Sequence, residues 1–131
     1  MIRVLIVDDH ANVRRGIKAF LAEIDDIRVV GEANNGLEAI SLSKELEPDV
    51  ILMDLLLPIV DGIEAIRQIT TRQPHMRVLG MTSFVYHEKI IPAIKAGAIG
   101  TVMLESAPSE LIQSIYEVHR GEQAFHPGIA S

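Results

Sequence analysis

Three aspartates in this sequence stand at the ends of short apolar runs, where a carboxylate is costly unless its charge is compensated. Asp8 and Asp9 follow "VLIV", and Asp54 lies within Val50–Val60, where nine of eleven residues are apolar. If they meet, their repulsion would raise their pKa values unless a hard cation is bound. A few carboxylate oxygens completed by water describe a magnesium site. The sequence therefore predicts Mg²⁺ at these three residues.

Asp54 can also carry a reaction, because an aspartate beside a divalent cation can attack a phosphoryl group and form an aspartyl phosphate. Thr82, in "MTS" at the end of the next apolar run, offers a hydroxyl that can donate to a phosphoryl oxygen. A cationic partner would be expected at the end of the following run. The sequence there reads "GTVMLES".

Five apolar, β-branched runs alternate with segments of helical period, a pattern that predicts an α/β fold with a parallel sheet and helices on both faces. Ligands of open α/β sheets bind beyond the carboxyl ends of the strands, so the three aspartates are expected at one functional edge. The predicted strands are Ile2–Val7, Val29–Ala33, Val50–Met53, Val78–Met81 and Thr101–Leu104.

Composition excludes several classes of protein. The chain has 131 residues, 48% of them hydrophobic, no cysteine and a net charge of −6. This predicts one globular domain without a disulfide framework, and the negative charge argues against nucleic-acid binding by this segment. Asp54 and Pro58 interrupt the longest apolar run, so no segment is expected to span a membrane. A cytoplasmic protein is predicted.

Together these motifs resemble the receiver domain of two-component response regulators, in particular the NarL/FixJ (LuxR-type) branch. The resemblance runs from "VLIVDDHANVRRGI" through "PDVILMDLLLPIVDGIEAI" and "VLGMTSF" to "AIKAGAIGTVMLESAPSELIQSI". It implies a flavodoxin-like, doubly wound (βα)5 fold with strand order 2-1-3-4-5. It also implies that Asp54 is the phosphoacceptor and Thr82 the switch hydroxyl. The implied Mg²⁺ ligands are Asp8, largely through water, Asp9, Asp54 and the backbone carbonyl of Leu56.

Two positions depart from the pattern of that family. Its usual lysine falls on Leu104, and its aromatic switch residue falls on Thr101. The lysine normally makes a charge-assisted contact with the phosphoryl group, worth about 1.5–3 kcal/mol, and leucine supplies none of it. A structural interpretation of Leu104 is that it extends the fifth strand and fills the space of a lysine stem.

Structural interpretations also exist for the other residues. Four of them can be explained as helix caps: Asp8, Asp9, Asp54 and Thr82. His10 can be a ligand beside the acids or a solvated residue at the start of the first helix. Arg14 and Arg15 are expected on a solvated face.

The leading hypothesis is a receiver that accepts a phosphoryl group on Asp54 from a histidine kinase and switches conformation to control an output such as transcription. The alternative is an atypical receiver that acts as a phosphorylation-independent interaction module, suggested by Leu104 and Thr101. The chain is not expected to be an enzyme, because a phosphatase of the haloacid dehalogenase type would need a second acid at Leu56.

The predicted receiver domain covers residues 1–121. Residues 122–131 are predicted to begin a linker toward a C-terminal helix-turn-helix output domain that is not present in this chain, because "GEQAFHPGIAS" resembles that point in NarL/FixJ regulators. DNA would be bound only through that output domain. A homodimer is a further expected partner, and membrane association is not expected.

Overall fold

Residues 1–125, which the computed structural model describes, alternate between five strands and five α-helices. The strands are Ile2–Val7 (β1), Ile27–Ala33 (β2), Val50–Asp54 (β3), Arg77–Thr82 (β4) and Gly100–Met103 (β5). The α-helices are Ala11–Ala22 (α1), Gly36–Leu46 (α2), Gly62–Arg72 (α3), Ile90–Ala96 (α4) and Pro108–His119 (α5). A 3-10 helix, Phe84–Lys89, directly precedes α4.

All five strands form one parallel sheet in the order β2-β1-β3-β4-β5, which confirms the predicted doubly wound fold. Side chains of a strand alternate between the two faces of a sheet. In β1, Val4 and Ile6 accordingly join the core under α1 and α5, and Leu5 and Val7 join the core under α2, α3 and α4. Burial on both faces explains why the strands appear in the sequence as continuous apolar runs.

The ends of the helices follow from local chemistry. Asn35 is the N-cap of α2, and its Oδ1 accepts from the Glu38 amide at 2.8 Å. Glu38 Oε1 accepts from the amide of Asn34, the residue before the cap, at 3.0 Å. Gly97 ends α4 with φ of 128°, in the region that favours glycine. A Cβ there would also lie 2.3 Å from Thr70 Oγ1.

Three strands end at positions other than those predicted. β3 and β4 each run one residue further, so Asp54 and Thr82 are the last residues of their strands. β5 ends at Met103, and the interpretation that Leu104 extends it is wrong. The chain turns immediately, with the Ser106 amide donating to the Met103 carbonyl at 3.0 Å, and Leu104 is left 44% exposed.

The chain continues along the sheet after α5. Ala124 is buried and pairs with Gly100 in parallel, and its carbonyl accepts from the Thr101 amide at 2.8 Å. The domain boundary at residue 121 stays a prediction, and residues 126–131 of the predicted linker lie outside the described residues. No helix among residues 1–125 is long and apolar enough to cross a membrane.

Candidate functional site

A cavity opens at the carboxyl edge of the sheet. It lies where β1, β3 and β4 end and where the turn after β5 begins. It brings together all the residues that the sequence predicted for the site, although their chemical roles remain predictions. The lining residues are Asp8, Asp9, His10, Val13, Asp54, Leu56, Thr82, Ser83, Tyr86 and Leu104. Thr101 does not line this cavity.

Asp54 is held in place by close backbone packing. Its Oδ1 accepts a hydrogen bond from the Leu56 amide at 3.0 Å, and the Leu55 amide donates to the Met81 carbonyl at 3.0 Å. The first residue of α3, Gly62, lies so near that a Cβ on it would be 2.1 Å from the Asp54 carbonyl oxygen. The glycine therefore lets α3 start directly against the end of β3.

The environment of Asp54 favours its protonated form when no cation is present. The residue is 7% exposed. Burial raises the pKa of its carboxyl from 3.8 to about 7, and the charges of Asp8 and Asp9 act in the same direction. The Leu56 hydrogen bond and the charge of His10 oppose the rise. A cation bound beside Asp54 would favour the carboxylate and lower this pKa.

Asp8 and Asp9 meet around His10. Asp8 is 1% exposed. Its Oδ1 accepts from the His10 amide at 2.8 Å and lies 3.1 Å from His10 Nδ1. Asp8 Oδ2 is buried and has no hydrogen-bond partner within residues 1–125. Asp9 Oδ1 lies 3.2 Å from the same ring nitrogen. One ligand atom from each of Asp8, Asp9, His10 and Asp54 can be chosen so that all lie within 4.8 Å of one another.

His10 is therefore more than a solvated residue at the start of α1. Its side chain is 70% exposed, yet its ring contacts both acids. The hydrogen bond to Asp8, followed by the charge of Asp9, raises the pKa of the imidazole. The helix-cap interpretation of Asp8 and Asp9 is wrong, because the N-cap of α1 is His10. The Asp8 carboxylate accepts from the amide of His10 itself, which precedes the first residue of the helix.

The prediction that Arg14 lies on a solvated face is wrong, because its side chain is only 18% exposed. Its Nη1 donates to the Asp8 carbonyl at 2.6 Å, and its Nε donates to Glu32 Oε1 at 3.1 Å. Lys18 Nζ donates to the other oxygen of Glu32 at 2.9 Å. Arg14 thus fixes the backbone at the end of β1. Its partner Glu32 is near the end of β2, eighteen residues later, so the spacing of α1 alone could not reveal the contact.

Thr82 is buried beside the acids, and its hydroxyl makes only one long hydrogen bond among the described residues. Its hydroxyl donates to the Tyr86 carbonyl at 3.4 Å, the long end of hydrogen bonding. Its backbone carbonyl accepts from the Leu104 amide at 2.7 Å. The helix-cap interpretation of Thr82 is wrong, because the N-cap of α4 is Lys89 and that of the 3-10 helix is Ser83.

The β5 side of the site contributes apolar surface where a cation was expected. Leu104 lines the cavity, and no lysine or arginine is among the described residues that line it. Thr101 is buried in a separate depression beside α5 and Phe125. Its hydroxyl oxygen has no hydrogen-bond partner in the described part of the chain.

Sequence reasoning missed three lining residues, Val13, Ser83 and Tyr86. Val13 comes from the first turn of α1, and the other two come from the segment after β4. Only their nearness in sequence to predicted site residues could have indicated them.

The sequence and the fold are similar to those of known proteins. The family model of the response regulator receiver domain matches residues 4–116. The chain is 42% identical over 130 residues to the transcriptional regulatory protein LiaR of Bacillus subtilis (strain 168), covering 99% of this chain and 62% of LiaR. It is 41% identical over 128 residues to the response regulator protein VraR of Staphylococcus aureus (strain Mu3 / ATCC 700698), covering 98% of this chain and 61% of VraR.

Two solved structures share the fold closely. A two-component response regulator of the LuxR family from Aurantimonas sp. SI85-9A1 has a TM-score of 0.91 at 38% identity, covering 98% of this chain and 91% of that one. The isolated REC domain of RcsB from Salmonella enterica serovar Typhimurium, solved with the phosphomimetic BeF3−, has a TM-score of 0.87 at 25% identity, covering 98% and 96%.

Fold and site thus define a signalling domain of the two-component class. The chain belongs to the response regulator receiver domain family, and its relatives include LuxR-family regulators. This confirms the predicted family and the function at that level. LiaR is named a transcriptional regulatory protein and VraR a response regulator protein. The chain spans only 62% of LiaR and 61% of VraR, so it corresponds to part of their length.

Proposed function

We propose that this domain accepts one phosphoryl group on Asp54 from a histidine kinase, with Mg²⁺ bound by Asp8, Asp9, Asp54 and the backbone carbonyl of Leu56. The observation that carries the proposal is the convergence of the three carboxylates within 4.8 Å in a cavity that Thr82 also lines. Asp8 and Asp54 are buried, and a proton or a cation among carboxylates so close to one another would offset their repulsion.

The donor set fits Mg²⁺. Carboxylate and carbonyl oxygens with water are the ligands that this ion prefers. The buried Oδ2 of Asp8 has no partner among the described residues and would gain one from the ion or its water. When bound, Mg²⁺ supplies positive charge that neutralises the phosphoryl oxygens in transfer.

The residues of the chain have distinct tasks in this transfer. The Leu56 amide holds Asp54 Oδ1, so Oδ2 can attack phosphorus while the bond from phosphorus to the donor breaks and the donor leaves with the electron pair. The Thr82 hydroxyl exchanges its long contact with the Tyr86 carbonyl for a phosphoryl oxygen. That exchange links the phosphoryl group to the 3-10 helix before α4.

We expect transfer to be stoichiometric and slow. One aspartate receives one group, so the domain is not an enzyme in the sense of turnover. Leu104 contributes no charge-assisted contact to the phosphoryl oxygens, a loss of about 1.5–3 kcal/mol.

The names of relatives support a proposed output and proposed partners. LiaR is named a transcriptional regulatory protein, which supports transcription as the output, with DNA bound by a domain outside this segment. RcsB is described as dimers bound to DNA, which supports a homodimer.

A second candidate function is a phosphorylation-independent interaction module. The observations that favour it are the apolar Leu104 in the cavity and the exposed Val85 and Ile91 in the segment after β4. If a partner complex forms equally well with Asp54→Ala, this candidate gains support. Strict dependence of the complex on phosphorylation would exclude it.

The test of the leading proposal is intact-protein mass spectrometry after incubation with Mg²⁺ and acetyl phosphate. The parent should gain one phosphoryl group, and EDTA should prevent the gain. Asp54→Asn should gain nothing. The matched control Asp61→Asn removes an exposed acid at the start of α3 and should behave as the parent does. Equal labelling of Asp54→Asn and the parent would contradict the proposal.

A further inference from the structure

A second cavity, of about 490 Å³, lies between α2 and α3. It shares no lining residue with the cavity at the carboxyl edge of the sheet, whose volume is about 250 Å³. Binding sites for small molecules typically measure about 300–1,000 Å³. A docked protein normally needs a much larger contact surface. The size of the cavity between α2 and α3 therefore fits a small molecule.

Part of the lining of this cavity is aliphatic. Leu37, in the first turn of α2, is 57% exposed, and Ile69 of α3 is buried. Ile40 packs against the core beneath these helices and also lines the cavity. Covering the exposed part of Leu37 would remove apolar surface from water, which is favourable. The lining can therefore hold the aliphatic body of a ligand.

Two cationic side chains line the same cavity, Lys44 in the last turn of α2 and Arg72 in the last turn of α3. A cation is favourable at that position of any helix, so the position alone does not indicate a ligand. Neither side chain, however, has an ion-pair or hydrogen-bond partner within residues 1–125. Four other cations of this acidic chain pair with glutamates: Arg14, Lys18, Arg67 and Arg120. The cavity thus combines an aliphatic lining with two uncompensated positive charges, and this is complementary to an amphiphilic anion.

Gln73, the residue that ends α3, has a weakly held side chain in this cavity. Its Nε2 donates to the Ser43 carbonyl and its Oε1 accepts from the Ser43 hydroxyl, both at 3.4 Å, the long end of hydrogen bonding. Ser43 has other partners, because its hydroxyl donates to the Ile40 carbonyl at 2.9 Å and its carbonyl accepts from the Glu47 amide at 3.2 Å. Gln73 Nε2 can therefore turn to a ligand without leaving Ser43 unsatisfied. A carboxylate would accept a stronger, charge-assisted hydrogen bond from it.

We propose that the cavity between α2 and α3 binds a small carboxylate with an aliphatic body. The body lies against the aliphatic lining that includes Leu37. The carboxylate faces Lys44 and Arg72 and accepts a hydrogen bond from Gln73 Nε2. The charges select an anion, the volume selects a small molecule, and the aliphatic lining selects an amphiphile over an inorganic anion. This site is additional to the phosphoryl chemistry proposed for Asp54.

The test is ¹H–¹⁵N correlation NMR of the chain, titrated with octanoate as the probe. Octanoate should shift the backbone amides of Ile40 and Lys44 and the side-chain amide of Gln73 saturably, with a Kd of about 1 mM or below. Octanamide keeps the aliphatic body without the charge, and acetate keeps the charge without the body. Each should bind at least about tenfold more weakly, because each lacks one of the two attractions. No saturable shift with octanoate, or equal binding of acetate or octanamide, would overturn the inference.

Two double variants separate the cations of the cavity from a general effect of charge. Lys44→Gln combined with Arg72→Gln should weaken octanoate binding at least about tenfold. Arg28→Gln combined with Lys95→Gln is the matched control. It also removes one arginine and one lysine at exposed positions, neither of which lines the cavity, and it should change the affinity less than about twofold. Equal affinities of the two double variants would overturn the inference.

A second copy of this chain is the competing occupant of the cavity. If the same resonances shift when the concentration of the protein alone is raised, a second copy covers the cavity and the assignment to a small ligand is wrong. Failure of this inference is distinguishable from failure of the proposed function, because the two cavities share no lining residue. Asp54→Asn should leave the affinity for octanoate unchanged, and the double variant at Lys44 and Arg72 should still gain one phosphoryl group.

Discussion

The two halves of the functional edge are built differently. The half formed by the ends of β1 and β3, which we call the acid half, carries Asp8, Asp9 and Asp54, all of which follow the pattern of the receiver family. The half formed by β4 and β5 retains Thr82 but has Leu104 and Thr101 where that pattern has a lysine and an aromatic residue. The half at β1 and β3 has every carboxylate that the family pattern requires. The half at β4 and β5 has the apolar Leu104 at the cavity in place of a charged side chain.

The difference separates two capacities that the family usually combines. In the proposed function, the ends of β1 and β3 would hold the cation and present the nucleophile. The ends of β4 and β5 and the segment before α4 would stabilise the phosphoryl group and transmit its presence. We therefore expect the first capacity to persist in this chain and the second to be weakened.

The largest effect is expected at Gly62, on which the geometry of the acid half depends. A Cβ there would lie 2.1 Å from the Asp54 carbonyl oxygen and 2.8 Å from Leu55 Cα, both backbone atoms. Gly62→Ala should lower the free energy of unfolding by about 3 kcal/mol, measured by urea denaturation.

Gly16→Ala is the matched control for this substitution. Gly16 is inside α1, and a Cβ on it would meet nothing within 4 Å. Its replacement should raise stability by about 0.5–1 kcal/mol. Equal effects at the two glycines would show that α3 does not press against β3 as described.

A smaller effect is expected from removing the charge of Asp54. Its pKa in the folded state, about 7, exceeds the ordinary value of 3.8. The folded chain therefore keeps a proton that the unfolded chain has lost, and stability falls as pH rises through this interval. In EDTA at pH 8, Asp54→Asn should be more stable than the parent by on the order of 2 kcal/mol.

The pH dependence sharpens this prediction. The advantage of Asp54→Asn should shrink at pH 5, where Asp54 is protonated in the folded state, while Asp8, Asp9 and His10 are the same in both proteins. Saturating Mg²⁺ should stabilise the parent more than Asp54→Asn. An advantage that stays constant with pH in urea denaturation would contradict the assigned environment of Asp54.

The smallest effect is expected on the β5 side, at Thr101. Its hydroxyl is buried without a partner in the described chain, and an unsatisfied buried polar group is costly. Thr101→Val keeps the shape and the backbone bond to Ala124 and should raise stability by about 1 kcal/mol, read from thermal unfolding. Thr71→Val, at an exposed position of α3, should change it by less than about 0.5 kcal/mol. A loss of stability in Thr101→Val would indicate a partner for the hydroxyl.

Much of the fold was predictable from sequence for a physical reason. Parallel strands buried on both faces are continuously apolar, so the five apolar runs indicated the five strands. An acid at the end of such a run departs from this pattern and therefore indicated a functional residue. Because the carboxyl ends of parallel strands share one edge, the sequence alone predicts that Asp8, Asp9 and Asp54 lie together.

The rest depended on contacts between residues far apart in sequence. The contact between Arg14 and Glu32 depends on the packing of α1 against the end of β2. β5 ends before Leu104 because the chain turns there. Residues 104–107 contain no glycine or proline, so the sequence did not indicate this turn. Ile59, in the loop between β3 and α3, adopts φ of 69° although it is β-branched, a conformation that propensity alone would not predict.

The most direct test of this account is the time course of phosphoryl uptake, followed by intact mass, in the parent, Leu104→Lys and the uncharged control Leu104→Met. All three should gain one phosphoryl group in saturating Mg²⁺ and acetyl phosphate. Leu104→Lys should gain it about ten- to a hundredfold faster, as expected for a restored charge-assisted contact, and Leu104→Met at the parent rate. If only Leu104→Lys is labelled, the acid half is not sufficient and the central claim is contradicted.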